Sequence, residues 1–458
     1  MNEGFAQALI TGNQVDANGI GIQASANTTG GAATTLDVMV LDNQSFAGNN
    51  ADGLRFVSQG SALLNVTVDQ TDGANLIVAG NGNDGIGFLI EGDSSVRASI
   101  RNVFSTVNGG DGIFGQVLND GQLTLLVEDS VIGTDSDPIA GLLVGGGNTN
   151  GLNFNIDTNG GGRINTLIIR NVDVNDNVFN GFLLNTGTGT LTDVAITNSN
   201  FGNPFLGNTI FGGPNTDGVL DGVNPNMLPD GGFGEGITIN AVGAGGITNP
   251  QVDNRTRLLL QGNTIDRFTF AGVSLNSAGD ANLLADINSN VISNNGDGVV
   301  NVMAPMQPDP PFEDGIDLNA TGESVLSARI TSNNLTGGLG NALGAFADDT
   351  AVVNALVVGN NLGNNLGPDV FGTNDGAGSE LNLAFSNNSV DSSLFVNMGA
   401  AVAFRVELDG FTNGPLFANP LPANVTPVGF GNFVEPAIEA EEFAFAADGF
   451  PASPPNFP

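Results

Sequence analysis

Short runs of Val, Ile, Leu and Phe recur along the chain between clusters of Asn, Asp and Gly, in one fixed order. An apolar strand leads into an asparagine turn, a short apolar touch follows, and Asn-Gly or Asp-Gly introduces a second apolar pair. Leu167–Ile169, Asn171, Val174 and Asn180-Gly181-Phe182 make one copy. Leu258–Leu260, Asn263, Ile265 and Ala271-Gly272-Val273 make a second; Ile287, Asn290, Ile292 and Asp297-Gly298-Val299 make a third. Earlier copies run from Val40 to Gly53, Ile100 to Gly112 and Val127 to Gly141. Where uninterrupted, the unit recurs every ~26–32 residues, a period that means a solenoid, propeller or array.

The residues narrow that choice. Leucine-rich, ankyrin and tetratricopeptide units need helices, and no sustained i, i+3, i+4, i+7 pattern precedes the last thirty or so residues. Asn-Gly and Asp-Gly are also hairpin signals, so an antiparallel sandwich array competes. Against it, the strands are short and apolar and show little matched polar face. In a parallel β-helix the coils stack at ~4.8 Å and equivalent side chains form ladders. Asparagine suits such a ladder, because it tolerates left-handed backbone at a bend and its amide can bond the next coil's amide. The interior is then Val, Ile, Leu and Phe, with Phe the only aromatic stacker because Tyr and Trp are absent.

On these motifs the chain resembles the right-handed parallel β-helix repeat proteins, the pectate-lyase-like superfamily, and within it the bacterial extracellular and surface proteins. The resemblance covers roughly residues 5–410. It implies an all-β, right-handed solenoid of about 13–14 coils, ~65 Å long at the coil spacing. That fold hosts many functions, so activity has to be read from sites.

Three stretches break the period. Residues 201–235 carry many Gly, Asn and Pro and read as a long loop. Residues 303–314 contain Pro305, Pro308, Pro310 and Pro311, which exclude a central strand and imply a second excursion. From about Pro415 the character changes again, and Glu435-Pro436 opens an Ala- and Glu-rich stretch that reads as a capping helix or an added strand. The expected organisation is a β-helix over 1–414 and a capping or joining segment with a Pro-rich tail over 415–458.

Composition removes whole classes of chemistry. All ten basic residues are arginine, Lys, His and Cys are absent along with Tyr and Trp, and the net charge is -37. There is no thiol or imidazole, no Schiff-base lysine and no nitrogen–sulfur zinc site. Any metal is hard and oxygen-bound, calcium before magnesium. Nucleic acid and anionic membrane surfaces are repelled, and no 18-residue apolar window exists for membrane insertion.

Several motifs nominate sites. Asn215-Thr216-Asp217-Gly218, with Asp221 following, resembles the Asn-Thr-Asp-Gly motif of polygalacturonases, where acids protonate the leaving oxygen and activate water. That family's Gly-His-Gly and Arg-Ile-Lys have no counterpart here, and its paired Asp finds only Asp348-Asp349, several coils away. Arg267, beside Asp266 and downstream of Arg255 and Arg257, is the candidate for a pectate-lyase-type arginine base facing a calcium-bound uronate. A free guanidinium has a pKa above ~12, so such a base must be tightly held; the plainer reading is arginine paired with surface Asp. Asp173-Val174-Asn175-Asp176-Asn177 looks like the calcium motif of cadherin linkers, and Gly80-Asn81-Gly82-Asn83-Asp84-Gly85 resembles one RTX nonapeptide. Asp84, Asp173 and Asp176 are therefore calcium candidates, and each also reads as part of a solvated turn.

The sequence thus predicts a non-enzymatic extracellular or cell-surface β-helix module, structural or adhesive. Its expected partners are itself, other surface proteins or polysaccharide, with fibre or layer assembly through an open strand edge near Phe5. The competing class is a carbohydrate-active β-helix enzyme, a polysaccharide lyase or glycoside hydrolase acting on an acidic glycan, with Asp217, Asp221 and Arg267 as its catalytic set.

Overall fold

A computed structural model describes residues 4–28, 34–71, 73–133, 148–156, 161–175, 177, 179–187, 191–202, 235–243, 255–266, 268, 271–295, 314–338, 340–365, 369–374, 378–390, 395–396, 403–409 and 426–428. Every regular element among them is a strand. The chain divides at Asn200 and Phe201 into two compact units.

In the first unit the chain visits three sheets in rotation. Sheet A stacks Gly4–Thr11, Thr34–Leu41, Leu63–Asp69, Ser95–Arg101, Gln122–Glu128, Arg163–Arg170 and Leu191–Thr197. Sheet B stacks Ser45–Ala47, Leu76–Ala79, Val103–Thr106, Val131–Gly133 and Asp173–Asn175. Sheet C stacks Ile22–Asn27, Leu54–Gln59, Ile86–Glu91, Ile113–Leu118, Leu152–Ile156 and Phe182–Thr186. Neighbours pair in parallel, as Leu63 with Ser95 and Ser95 with Gln122 do. The second unit repeats the scheme. Its sheet A holds Arg255–Gln261, Asn282–Asn288, Val325–Thr331, Val352–Val358, Glu380–Ser386, Ala403–Asp409 and Thr426–Val428. Its sheet B holds Thr264–Asp266, Val291–Ser293 and Asn334–Thr336. Its sheet C holds Ile237–Val242, Val273–Ala278, Ile316–Ala320, Leu343–Ala347, Val370–Asn374 and Phe395–Val396. Each unit is a parallel β-helix. The expected loops 201–235 and 303–314 lie outside the described residues except for Phe201, Gly202, Glu235 and Asp314, as does 415–458 except for Thr426–Val428.

The apolar residues of each strand line the inside. Leu64, Val66 and Val68 of one sheet A strand are buried, while Asn65 between them is half-buried on the outer face. Phenylalanines stack coil upon coil within, Phe56 on Phe88 at 5.4 Å and Phe154 on Phe182 at 6.0 Å between ring centroids.

The asparagine turn divides its work between two adjacent residues. Leaving sheet A, the chain pivots on a left-handed residue: Asp42, Asn102, Asp129, Asn171 and Asn198 in the first unit, Ser289, Ser332 and Asn387 in the second. The residue after the pivot points inward and carries the ladder. In the second unit this row is Asn263, Asn290, Asn333, Asn360 and Asn388, each Nδ2 donating to the next Oδ1 at 2.9–3.0 Å. The same Oδ1 also accepts the backbone N–H of the preceding ladder residue at 2.8–2.9 Å, and Asn333 Nδ2 donates to Ile287 O at 2.8 Å. The smallest step along the ladder, Asn263 to Asn290, is 27 residues.

In the first unit part of that row reads Val103, Ser130, Val172 and Ser199, and serine hydroxyls accept the valine N–H groups at 3.2 and 3.1 Å. There the continuous amide ladder sits at the bend between sheets B and C instead, through Asn49, Asn81, Asn108, Asn148 and Asn177, with Nδ2–Oδ1 distances of 2.9–3.2 Å.

The Asn-Gly and Asp-Gly glycines open sheet C rather than a hairpin. Gly53, Gly85, Gly112 and Gly151 are not in the left-handed region that a primed hairpin turn demands. They are needed for close approach. A Cβ on Gly53, Gly85, Gly112 or Gly151 would lie 2.5–2.9 Å from the carbonyl oxygen of the equivalent glycine one coil on.

Asn333→Ala removes the acceptor of two Asn290 donors in a buried row, so it should destabilise the protein by at least about 2 kcal/mol, given about 1–3 kcal/mol per orphaned buried group. Asn361→Ala, on the exposed side of the same bend, should change stability by under about 0.5 kcal/mol. Urea denaturation of the two variants checks both, and equal effects would refute the ladder's role.

Candidate functional site

Because one coil stacks on the next, a residue type repeated at one position becomes a row. Two residues before the sheet C strands of the first unit, that row is acidic: Asp52, Asp84 and Asp111, each followed by its close-approach glycine. Backbone N–H groups of the following coil answer these carboxylates. Asp111 N donates to Asp84 Oδ1 at 2.9 Å, and Asn150 N to Asp111 Oδ1 at 2.9 Å. Amide side chains add to this, Asn83 Nδ2 reaching Asp52 Oδ1 at 2.6 Å and Asp84 Oδ2 at 3.1 Å, and Asn153 Nδ2 reaching Asp111 Oδ2 at 2.8 Å.

The outer face beside this row carries a gap. Arg55, Gly87 and Phe114 are register partners on three successive strands of sheet C. With no side chain at Gly87, an open groove lies there, lined by Asp52, Arg55, Asn83, Asp84, Phe114 and Gln116 among others. The carboxylates edge onto it, since a Cβ on Gly87 would be 3.3 Å from Asp52 Oδ2 and 3.8 Å from Asp84 Oδ2. Arg55 Nε lies 3.8 Å from Asp52 Oδ2. Burial pushes the Asp84 carboxyl up to about 7; the N–H of Asp111 opposes this, and the charges of Asp111 and Asp52 reinforce it. The groove therefore offers a guanidinium, an amide, a ring and a carboxyl that titrates near neutrality.

The second unit places acids at the same station of its coil. Asp314 precedes Ile316–Ala320 by two residues, Glu235 precedes Ile237–Val242 by two, and Asp317 is the first outward residue of its strand. Asp314 and Asp317 are 1 % and 0 % exposed. Asn341 donates to Asp314 Oδ1 through its backbone N at 2.7 Å and its Nδ2 at 2.8 Å, and Thr238 Oγ1 donates to Glu235 Oε2 at 2.9 Å. Burial raises Asp314 to about 6 against hydrogen bonds to Asp317 and Asn341. Burial also raises Asp317 well above the ordinary value, and the charge of Asp314, a hydrogen bond with it and the charge of Glu235 add to that effect.

The sites nominated by sequence fare differently. Asp217, Asp221, Arg267 and Asp176 lie outside the described residues. Asp84 sits in the groove, and its glycine-rich stretch forms the bend between sheets B and C. Asp173 lies on a sheet B strand and accepts Asn200 Nδ2 at 2.7 Å. Asp266, beside Arg267, is buried and accepts Ser293 Oγ at 2.8 Å and Asn294 Nδ2 at 2.7 Å. Among the described residues, no three acidic side chains group closely enough to enclose a metal ion. Arginine pairing with acid one coil away does occur: Glu128 lies between Arg101, at 3.0 Å, and Arg170, and Asp286 pairs with Arg329.

Asp52, Asp111, Glu235, Asp314 and Asp317 were not singled out from the sequence. The signal for three of them is there: Asp52-Gly53, Asp84-Gly85, Asp111-Gly112 and Asp314-Gly315 share one position of the repeat. Aligning the copies on that glycine would have turned four turn signals into a row of carboxylates.

No family model matches the chain, and no curated protein matches it. Two solved structures are similar to it. The Dettilon tailspike protein (gp208) has a TM-score of 0.35 and 12 % identity, covering 87 % of this chain and 62 % of the tailspike chain. The A-module of the Azotobacter vinelandii mannuronan C-5 epimerase AlgE4 has a TM-score of 0.24 and 12 % identity, covering 87 % of this chain and 91 % of that module. The chain thus spans under two thirds of the tailspike's length. The fold assignment above rests on this chain's own strand order and register.

The Asp84 carboxyl makes a pH prediction. Its folded pKa of about 7 lies above the ordinary 3.8, so the folded chain keeps a proton that the unfolded chain releases. Its contribution to stability therefore falls as pH rises from about 4 to about 7, and Asp84→Asn should flatten that part of a melting-temperature-against-pH curve. Identical slopes for variant and parent would show that Asp84 titrates normally.

Proposed function

We propose that the chain is a non-enzymatic extracellular or cell-surface β-helix module that binds glycan in the groove at Gly87. The observation that carries this reading is the gap itself: one glycine between Arg55 and Phe114 exposes two carboxylate edges on the floor of an open polar groove. Sugars present hydroxyls that donate to carboxylates and accept from guanidinium and amide, and C–H faces that rest on a ring such as Phe114. A concave site with a few convergent polar groups and a displaced pKa is the default binding-site hypothesis. The ligand should be neutral, because a net charge of -37 repels polyanions. Asparagines along the outer face of sheet C, such as Asn155 and Asn185 joined at 2.6 Å, extend the polar surface.

One observation favours the enzymatic alternative. Asp84, titrating near neutrality beside Asp52 in an open groove, provides a proton donor next to a second carboxyl. The two readings separate in a single panel.

Across a panel of neutral and uronate-containing polysaccharides, the full chain should bind a neutral member by isothermal titration, release reducing ends from none, and release no unsaturated uronate from the uronate-containing members. Arg55→Ala and Gly87→Gln should each weaken binding at least about tenfold, since losing a charged hydrogen bond or filling a pocket removes more than ~1.4 kcal/mol. Unchanged affinity in both variants would overturn the binding reading. Product release that disappears in Asp84→Asn would establish the enzyme.

A further inference from the structure

We propose that Asp314 and Asp317, in the second unit, bind a calcium ion, with Glu235 at the edge of the site. The argument begins at Gly344, the register partner of Asp317 on the next strand of sheet C. A Cβ on Gly344 would collide with Oδ2 of Asp314 and Oδ1 of Asp317. Oxygens of two different carboxylates thus converge on one small region, with Cε2 of Phe346 3.0 Å from the same point.

Those oxygens have no donor. Asp314 Oδ2 and both oxygens of Asp317 accept from no neighbouring donor, although the two side chains are essentially fully buried. The two carboxyls lie within hydrogen-bonding reach of each other, so a proton or a cation has to stand between them. Buried polar atoms are almost always partnered, and buried charges are paired or coordinate a metal. The equivalent acids of the first unit show what ordinary satisfaction looks like, since Asn83 donates to Asp52 and Asp84, and Asn150 and Asn153 donate to Asp111. In the second unit Asn341 serves the far oxygen, Asp314 Oδ1, and the converging pair is left to something else.

A proton or a cation can fill that role. One proton between the carboxyls satisfies two of the three orphan oxygens and leaves the third without a partner. A divalent cation takes all three oxygens and offsets two negative charges. The donors are hard oxygens, which selects calcium over softer metals. With only two carboxylates converging, the rest of the shell falls to water and backbone, which sets an affinity in the millimolar range of extracellular modules.

The test uses the full chain stripped with chelator and titrated with calcium chloride up to about 10 mM, a range that covers weak sites, with magnesium chloride as the comparison. Calcium should raise the melting temperature by several degrees and bind near one equivalent at this site by equilibrium dialysis, with magnesium weaker. Asp317→Asn and Asp314→Asn should each abolish that equivalent and the shift, while Asp84→Asn in the groove of the other unit keeps both. Gly344→Ala, which keeps both acidic residues in the chain and puts a methyl where their oxygens converge, should also lose the equivalent, so a folding defect in one Asp variant does not decide the outcome. No calcium-dependent shift in the parent chain, or a shift that survives in both Asp→Asn variants, overturns the proposal and assigns the pair a shared proton. Because glycan titrations at Gly87 read the first unit, failure there and failure here are separate results.

Discussion

The stacking of one coil's backbone on the next is the interaction on which everything else here depends. Along the strands, parallel hydrogen bonds satisfy the main chain automatically. At the bends such bonds continue in part, as from Gly53 N to Asp84 O and from Gly82 N to Asn49 O, but the N–H of each ladder residue is met by a side chain instead. A primary amide is well fitted to the gap: its oxygen accepts two hydrogen bonds and its nitrogen donates two. Asn333 uses all four, accepting from Asn290 N and Nδ2 and donating to Asn360 Oδ1 and Ile287 O. Each ladder residue therefore completes its neighbour, and the row is stable as a row. The two units solve the same problem at different bends, the first between sheets B and C and the second after sheet A, which shows that a coil needs one continuous ladder and tolerates substitutes at the other corner. Where Val172 interrupts the ladder position, Ser199 supplies the acceptor its N–H requires.

That constraint explains what was legible in the sequence. The order of strand, polar turn, short strand and glycine recurs from coil to coil because each element serves a contact to the next coil, so the stacking of coils followed from the repeat. Leu258–Leu260, Asn263, Ile265 and Gly272-Val273 fall on sheet A, ladder, sheet B and sheet C. Two details were hidden. Asparagine appears at adjacent positions for different reasons, as a left-handed pivot in Asn171 and as a ladder amide in Asn263, and a one-letter pattern does not separate conformation from hydrogen bonding. The glycine of Asn-Gly carries a hairpin meaning in short-range rules. Only the proximity of Gly112 to Gly151 O shows that it is there for lack of a Cβ.

The candidate sites were less legible for the same physical reason. A motif search examines residues that are near in sequence, whereas a coil brings together residues separated by its full length. Asp52 and Asp84 share Asn83 as a donor although they are 32 residues apart. The glycine-rich stretch around Asp84 resembles a calcium loop when read along the chain; across the coils it is one rung of an acidic row beside a groove. Asp314 and Asp317 form no motif along the chain, and their significance lies in Gly344, a residue on the following coil.

The row geometry also gives the acidity a direction. Stacking like charges at one coil spacing is costly, and the chain meets that cost differently on different faces. On sheet A it alternates charge, setting Glu128 between Arg101 and Arg170 and Asp286 against Arg329, where a planar guanidinium reaches across the strand spacing to a carboxylate. On the sheet C side of the first unit it uses amide and backbone N–H donors and lets Asp84 keep its proton until near neutrality. On the sheet C side of the second unit no amide or backbone N–H reaches the converging oxygens of Asp314 and Asp317, and burial raises both carboxyls. A repeat protein can carry one unsatisfied rung because the rungs above and below hold it in place, and strain of that kind persists only where surrounding structure over-determines it. The position at which the ladder logic stops being self-sufficient is therefore where an outside positive charge has the most to gain by binding.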